Sequence, residues 1–81
     1  GFNYHYLWQL TKNVFPLLNN NVQIKGLSSM GNYTVLTFHG GSRKYTLFTF
    51  ADGRKLFGVD GFMKEAKNMK DIMDITEESL K

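Results

Sequence analysis

Two six-residue runs, 33–38 (YTVLTF) and 45–50 (YTLFTF), constrain the fold more than any other feature of the chain. Their Thr, Tyr, Val and Phe side chains are stiff or bulky beside the backbone, and such residues fit a pleated surface better than a helix. Between the runs, residues 39–44 include Gly40 and Gly41, whose backbone freedom predicts a hairpin loop. After the second run, Asp52-Gly53 supplies two residues that tolerate positive φ, and so predicts a tight turn into a short strand at 54–57. Upstream, Val22, Gln23, Ile24 and Lys25 alternate apolar with polar and suit a short strand or extended segment. Residues 26–32, rich in Ser, Gly and Asn, are expected to form a loop.

Helical patterns flank this β-rich centre. From Asn3, the expected N-cap, Leu7, Leu10, Val14 and Leu18 recur at helical spacing with Tyr4, Trp8 and Phe15 beside them. His5, Gln9, Lys12 and Asn13 take the opposite face. Pro16 lacks an N–H and disfavours helical geometry at Phe15, so the helix should end or kink there. At the other end, Gly58 and Gly61 bracket a passage into a second helix with Asp60 as its expected cap. Phe62, Met63, Ala66, Met69, Ile72 and Met73 form its apolar stripe, and the pattern fades over 74–81. The expected fold class is α+β: helix, three- or four-stranded antiparallel sheet, helix, with both helices on one face of the sheet. One domain over 1–81 is expected, with an ordered core of 3–74.

A chain of 81 residues has room for one compact domain and must fill its core with large side chains. Seven Phe, four Tyr and one Trp do so. The absence of cysteine excludes a disulfide framework, a thiol nucleophile and a thiolate zinc site. It points to a reducing compartment, cytoplasmic or nuclear. No apolar run approaches the ~20 residues of a membrane span, and Gln9, Lys12 and Asn13 interrupt any signal-like segment. The net charge of +3 permits an anionic partner without demanding one.

Catalysis finds few candidates. His5 and His39 have no companion at metal-ligand spacing, so no metal or cofactor is expected. Ser42 follows His39 closely, but a triad also needs an orienting group and an oxyanion site. A solvated loop histidine is the simpler explanation. Asp52 and Asp60 are explained by a turn and a helix cap, and 58–61 lacks the Lys-Ser/Thr pattern of a phosphate loop. Met63, Met69 and Met73 follow helical spacing, which is more often core filler than a docking groove.

The cations are informative by position. Arg43 and Lys44 lie in the first hairpin loop, Arg54 and Lys55 follow the next turn, and Lys64 and Lys67 open the expected last helix. There their i, i+3 spacing would place both ammonium groups on one face beside the free amides of a helix start, an arrangement suited to phosphate. Equally, these are ordinary solubilising charges, diluted by Glu65 and Asp71.

Residues 52–68 (DGRKLFGVDGFMKEAKN) resemble the end of the double-stranded RNA-binding domain, where a third strand runs through a glycine pair into a Lys-Lys-x-Ala-Lys signature. Here the glycines are Gly58 and Gly61, and Met63-Lys64-Glu65-Ala66-Lys67 stands for the signature, with Met63 in place of its first lysine. The loop 39–44 lacks the family's Gly-Pro-x-His pattern. The resemblance implies that Lys64 and Lys67 clamp phosphates across a major groove, while Arg43, Lys44 and His39 enter one minor groove and Gln9 and Lys12 meet another. Recognition would then be by A-form shape and phosphate charge. Part of the region is also similar to small DNA-binding modules that insert a sheet into the major groove, although Tyr45, Phe48 and Phe50 are apolar for that task. The expectation is therefore a non-catalytic domain binding double-stranded RNA. The alternative is a protein-interaction module or small inhibitor, docking a protein partner or a second copy through its sheet or its Met/aromatic surface.

Overall fold

Three hairpins with two-residue turns set the topology. The computed structural model describes the backbone of residues 2–81 and the side chains of residues 6–81. Strands β1 (Val22–Met30), β2 (Tyr33–Gly40), β3 (Arg43–Phe50), β4 (Lys55–Val59) and β5 (Phe62–Glu65) pair in sequence order as an antiparallel meander. Gly31 and Gly41 take positive φ (64° and 63°) as the first residues of the β1–β2 and β2–β3 turns, where a side chain would be strained. In the β4–β5 turn both residues are left-handed, Asp60 at 54° and Gly61 at 92°. This is the geometry for which Asp-Gly is favoured, because it matches the twist of the flanking strands.

The sheet therefore has five strands, where three or four were expected. Residues 26–32 are not a loop: β1 runs through them after a bulge between Ile24 and Gly26, and only Gly31-Asn32 turns. Ser28 and Ser29 gain the ladder hydrogen bonds that their low strand propensity did not advertise. Asp60 is not a helix cap but a turn residue, and residues 62–65 form a strand. The expected loop at 39–44 shrinks to Gly41-Ser42, with His39 and Lys44 paired across the ladder.

Helix α1 (Phe2–Asn13) ends before a 3₁₀ turn, Phe15–Leu18, with Pro16 in its first turn, as the missing N–H requires. Asn19 and Asn20 then adopt positive φ of 57° and reverse the chain. The side chain of Asn3, the expected cap, lies outside the described residues, as does that of His5. Helix α2 (Met69–Ser79) starts eight residues later than the Asp60 cap implied. Its cap is Asn68, whose side chain accepts from the Asp71 amide at 3.0 Å. It also runs past the expected limit at residue 74, because Thr76 acts as a core residue: it is fully buried, and its hydroxyl donates to Ile72 O at 2.8 Å.

Both helices pack on one face of the sheet. Leu10, Val14, Phe15 and Leu18 from the N-terminal segment and Ile72 from α2 close over Leu36, Phe38, Tyr45, Leu47 and Phe57. Phe38, Tyr45 and Phe57, side by side on three strands, are stacked with centroids 5.1 and 6.0 Å apart between neighbours. The buried Tyr45 hydroxyl is satisfied by Ser79 Oγ at 2.8 Å, which ties the end of α2 to the sheet. Gly40 leaves room for Leu18, since a Cβ there would fall 2.6 Å from Leu18 Cδ1.

Candidate interaction surface

Side chains alternate across a strand, so the residues between the core positions must emerge on the opposite face. The ladder aligns Tyr33 with Phe50, Val35 with Phe48, Phe48 with Leu56, and Gly58 with Met63. Six of these, Tyr33, Val35, Phe48, Phe50, Leu56 and Met63, are half-buried and take no part in the core beneath the helices. They form a second apolar layer of their own. The rings of Tyr33 and Phe48 are 5.8 Å apart, those of Tyr33 and Phe50 5.7 Å, and those of Phe48 and Phe50 6.5 Å. The Arg54 guanidinium lies 5.1 Å from the Phe50 centroid and is held by Asp52 at 2.9 Å, so it caps this cluster at its rim. Met63 folds across Gly58, where a Cβ would collide with its sulfur. Among the described residues no helix covers this face.

The cations singled out from sequence do not meet on one surface. His39 and Lys44 are cross-strand partners at one end of the open face. Arg43, their neighbour, points the other way and pairs with Asp60 at 2.9 Å. Lys64 is exposed on β5, opposite Phe57, on the helix side of the sheet. Lys67 lies in the connection before α2 and is likewise exposed. Neither lysine is on a helix, so the i, i+3 clamp expected of Lys64 and Lys67 is not formed: Gly61 and Asp60 turn the chain into a strand first. The start of α2 already holds an anion of its own, because Asp71 accepts from the Lys67 amide at 2.8 Å. On α1, Lys12 folds over the Trp8 ring at 4.3 Å, and Gln9 is half-buried. Lys55, read from sequence as one of the surface cations, is buried; its ammonium donates to Gly53 O at 2.9 Å and lies 4.7 Å from the Tyr6 ring centroid.

Arg43 and Lys64 do share a groove of about 270 Å³ with Lys81, between β5 and the end of α2. Asp60 and Glu78 balance their charge there. The Lys44 amide, first of all, and the Arg43 side chain hold the Asp60 carboxyl below the usual aspartate range. The Arg54 amide and side chain do the same for Asp52. Both carboxylates thus act as turn fasteners. Among the described residues no hydrogen bond joins His39 to Ser42, and no group of three acidic, His or Cys side chains is placed to hold a metal ion. No described helix is long and apolar enough to cross a membrane. Sequence reasoning left Met63 off the open apolar face because it assigned that residue to a helix. The signal was present in the alternation of 33–38 and 45–50, whose apolar residues fall on both faces.

No family model, no curated protein and no solved structure matches the chain.

Proposed function

We propose that this domain is a non-catalytic protein-interaction module that docks through the open face of its sheet. The observation that carries this reading is the second apolar layer, Tyr33, Val35, Phe48, Phe50, Leu56 and Met63, left half-exposed on a sheet whose folding core lies on the other side. A contiguous apolar patch ringed by polar side chains is what an aromatic-rich interface core requires. Here the ring is Gln23, His39, Lys44, Glu65 and Arg54. A face kept for docking contributes little to folding. Val35→Thr and Phe48→Thr should therefore each lower the unfolding free energy by no more than about 1 kcal/mol. Denaturation is to be measured at a dilution where the midpoint no longer depends on protein concentration. Losses above about 2 kcal/mol would show the face to be structural.

Duplex RNA is the second reading, supported by the net charge of +3 and by the exposure of Lys12, Lys64 and Lys67. Against it stand the scattered placement of these cations and the Asp71 carboxylate at the start of α2. Titration with a ~20-base-pair RNA duplex at two salt concentrations separates the two. Salt-sensitive binding that weakens on removal of Lys64 and Lys67 supports RNA, and no binding at low salt removes it.

A further inference from the structure

We infer that the occupant of the open face is a second copy of this chain, packed sheet on sheet about a two-fold axis; this deepens the docking reading and rests on it. Alternation puts Lys44 and Glu65 on the open face, both exposed and neither with an ion-pair partner among the described residues. In the ladder, Lys44 is one row below Thr46, which pairs with Gly58, and Gly58 pairs with Met63. Glu65 is one row above Met63 and aligned with Leu56. Gly58 is therefore the midpoint between the two charges, a position on the face without a side chain. A two-fold axis in the sheet plane through Gly58 sets Lys44 of each copy against Glu65 of the other. Two equivalent ion pairs then close the rim, as an isologous interface demands.

The same axis suits the apolar layer. With about 4.8 Å between strands and about 6.8 Å between same-face rows, it passes obliquely from Gly58 toward Val35, beside Phe48. Two copies related by it cross nearer to the orthogonal class of sheet packing than to the aligned one. Val35, Phe48 and Met63 then lie nearest the axis, and the two ion pairs farther out, as in an interface with an apolar centre and a charged rim.

Five strands at about 4.8 Å and some six residues at about 3.4 Å give a footprint of roughly 500 Å² per copy, or about 1,000 Å² for the pair. Side-chain relief raises the accessible area above this flat value, to the low end of specific interfaces near 1,200 Å². The expected dimer is reversible, with a dissociation constant on the order of 10 μM.

Sedimentation equilibrium on the full chain tests this. Wild type should follow a monomer–dimer equilibrium. Lys44→Glu and Glu65→Lys should each weaken it about ten-fold, and the double swap should restore it to within about three-fold of wild type. Both positions are exposed, so the variants keep the fold. A wild type that stays monomeric to about 1 mM overturns the second-copy inference. The docking reading itself would still be judged by the dilute stability of Val35→Thr and Phe48→Thr. The inference is also overturned if a dimer forms but is indifferent to both single swaps, or if it is dissociated by Ile24→Glu on the β1 edge and not by Phe48→Thr.

Discussion

Phe57 and Phe48 are sheet phenylalanines on adjacent strands, β4 and β3, one row apart. Phe57 is fully buried beneath the helices, stacked on Tyr45 at 6.0 Å. Phe48 is half-buried on the open face, against Tyr33 and Phe50. The local sequence around each is almost equally apolar, so what separates them is which face the helices cover. The stripe of Leu10, Val14 and Leu18, with Ile72, is wide enough to seal one face only. A single sheet thus carries one apolar layer that folds the chain and another that no described helix covers.

The largest effect expected from this contrast is at Phe57. Phe57→Ala should cost about 3–5 kcal/mol of unfolding free energy, because it removes the centre of a close-packed layer and leaves a cavity. Phe48→Ala should cost about 1 kcal/mol in dilute monomer, since its surroundings are partly solvent. Urea denaturation of both variants decides the matter. Equal losses would erase the distinction between the two faces.

Glycines sharpen the same comparison. Gly58 on the open face and Gly40 on the helix side each make room for a neighbour, but the neighbours differ. A Cβ at Gly58 would press on the Met63 sulfur and Cα and on the Phe62 carbonyl oxygen, partly backbone of the paired strand. A Cβ at Gly40 would meet the end of the Leu18 side chain first and Tyr45 next. Backbone gives way less readily than a leucine tip. Gly58→Ala is therefore expected to cost about 2–3 kcal/mol and to loosen β5, and Gly40→Ala about 1–2 kcal/mol. Thermal unfolding, with amide exchange of β5, checks the order; a reversed order would mean that β5 shifts freely on the open face.

Much of this architecture is legible in the amino-acid sequence. The two β-rich runs, the end of α1 before Pro16, the Asp52-Gly53 turn and the α+β class all followed from propensity and backbone chemistry. The errors cluster at 58–68, and they have one cause. Asp60-Gly61 carries the same turn chemistry as Asp52-Gly53, but Phe62, Met63 and Ala66 also satisfy a helical period, and four residues are too few to separate a strand from a helix turn. With that choice went Lys64, Lys67, the helix cap and the fifth strand. The open face was lost for a different reason. Residues 33–38 and 45–50 are apolar on both sides, a pattern that does not say which side the helices will cover. The scattering of Arg43, Lys44, Lys64 and Lys67 over two faces follows from these same register choices.

The smallest effect concerns the corner where the faces meet. Asp60 bonds the Lys44 amide at 3.0 Å and Arg43 at 2.9 Å, so it fixes the end of β3 from which Lys44 reaches the open face. These contacts lower the Asp60 carboxyl below its ordinary value, the Lys44 amide first among the causes. A carboxylate with a depressed folded-state pKa binds its proton more readily in the unfolded chain. Its stabilising contribution is thus complete above the unfolded value near pH 4 and is lost as the pH falls through the folded value. Asp52, depressed by the Arg54 amide and side chain, adds to the same acid limb. The stability of wild type should therefore fall as pH drops below about 4, and the fall should be shallower in Asp60→Asn. Because both groups are solvent-exposed the change is small, and it is best read from denaturant midpoints collected between about pH 2 and 6. If the two profiles superimpose, Asp60 does not fasten this corner, and the position of Lys44 on the open face must be set by the β2–β3 ladder alone.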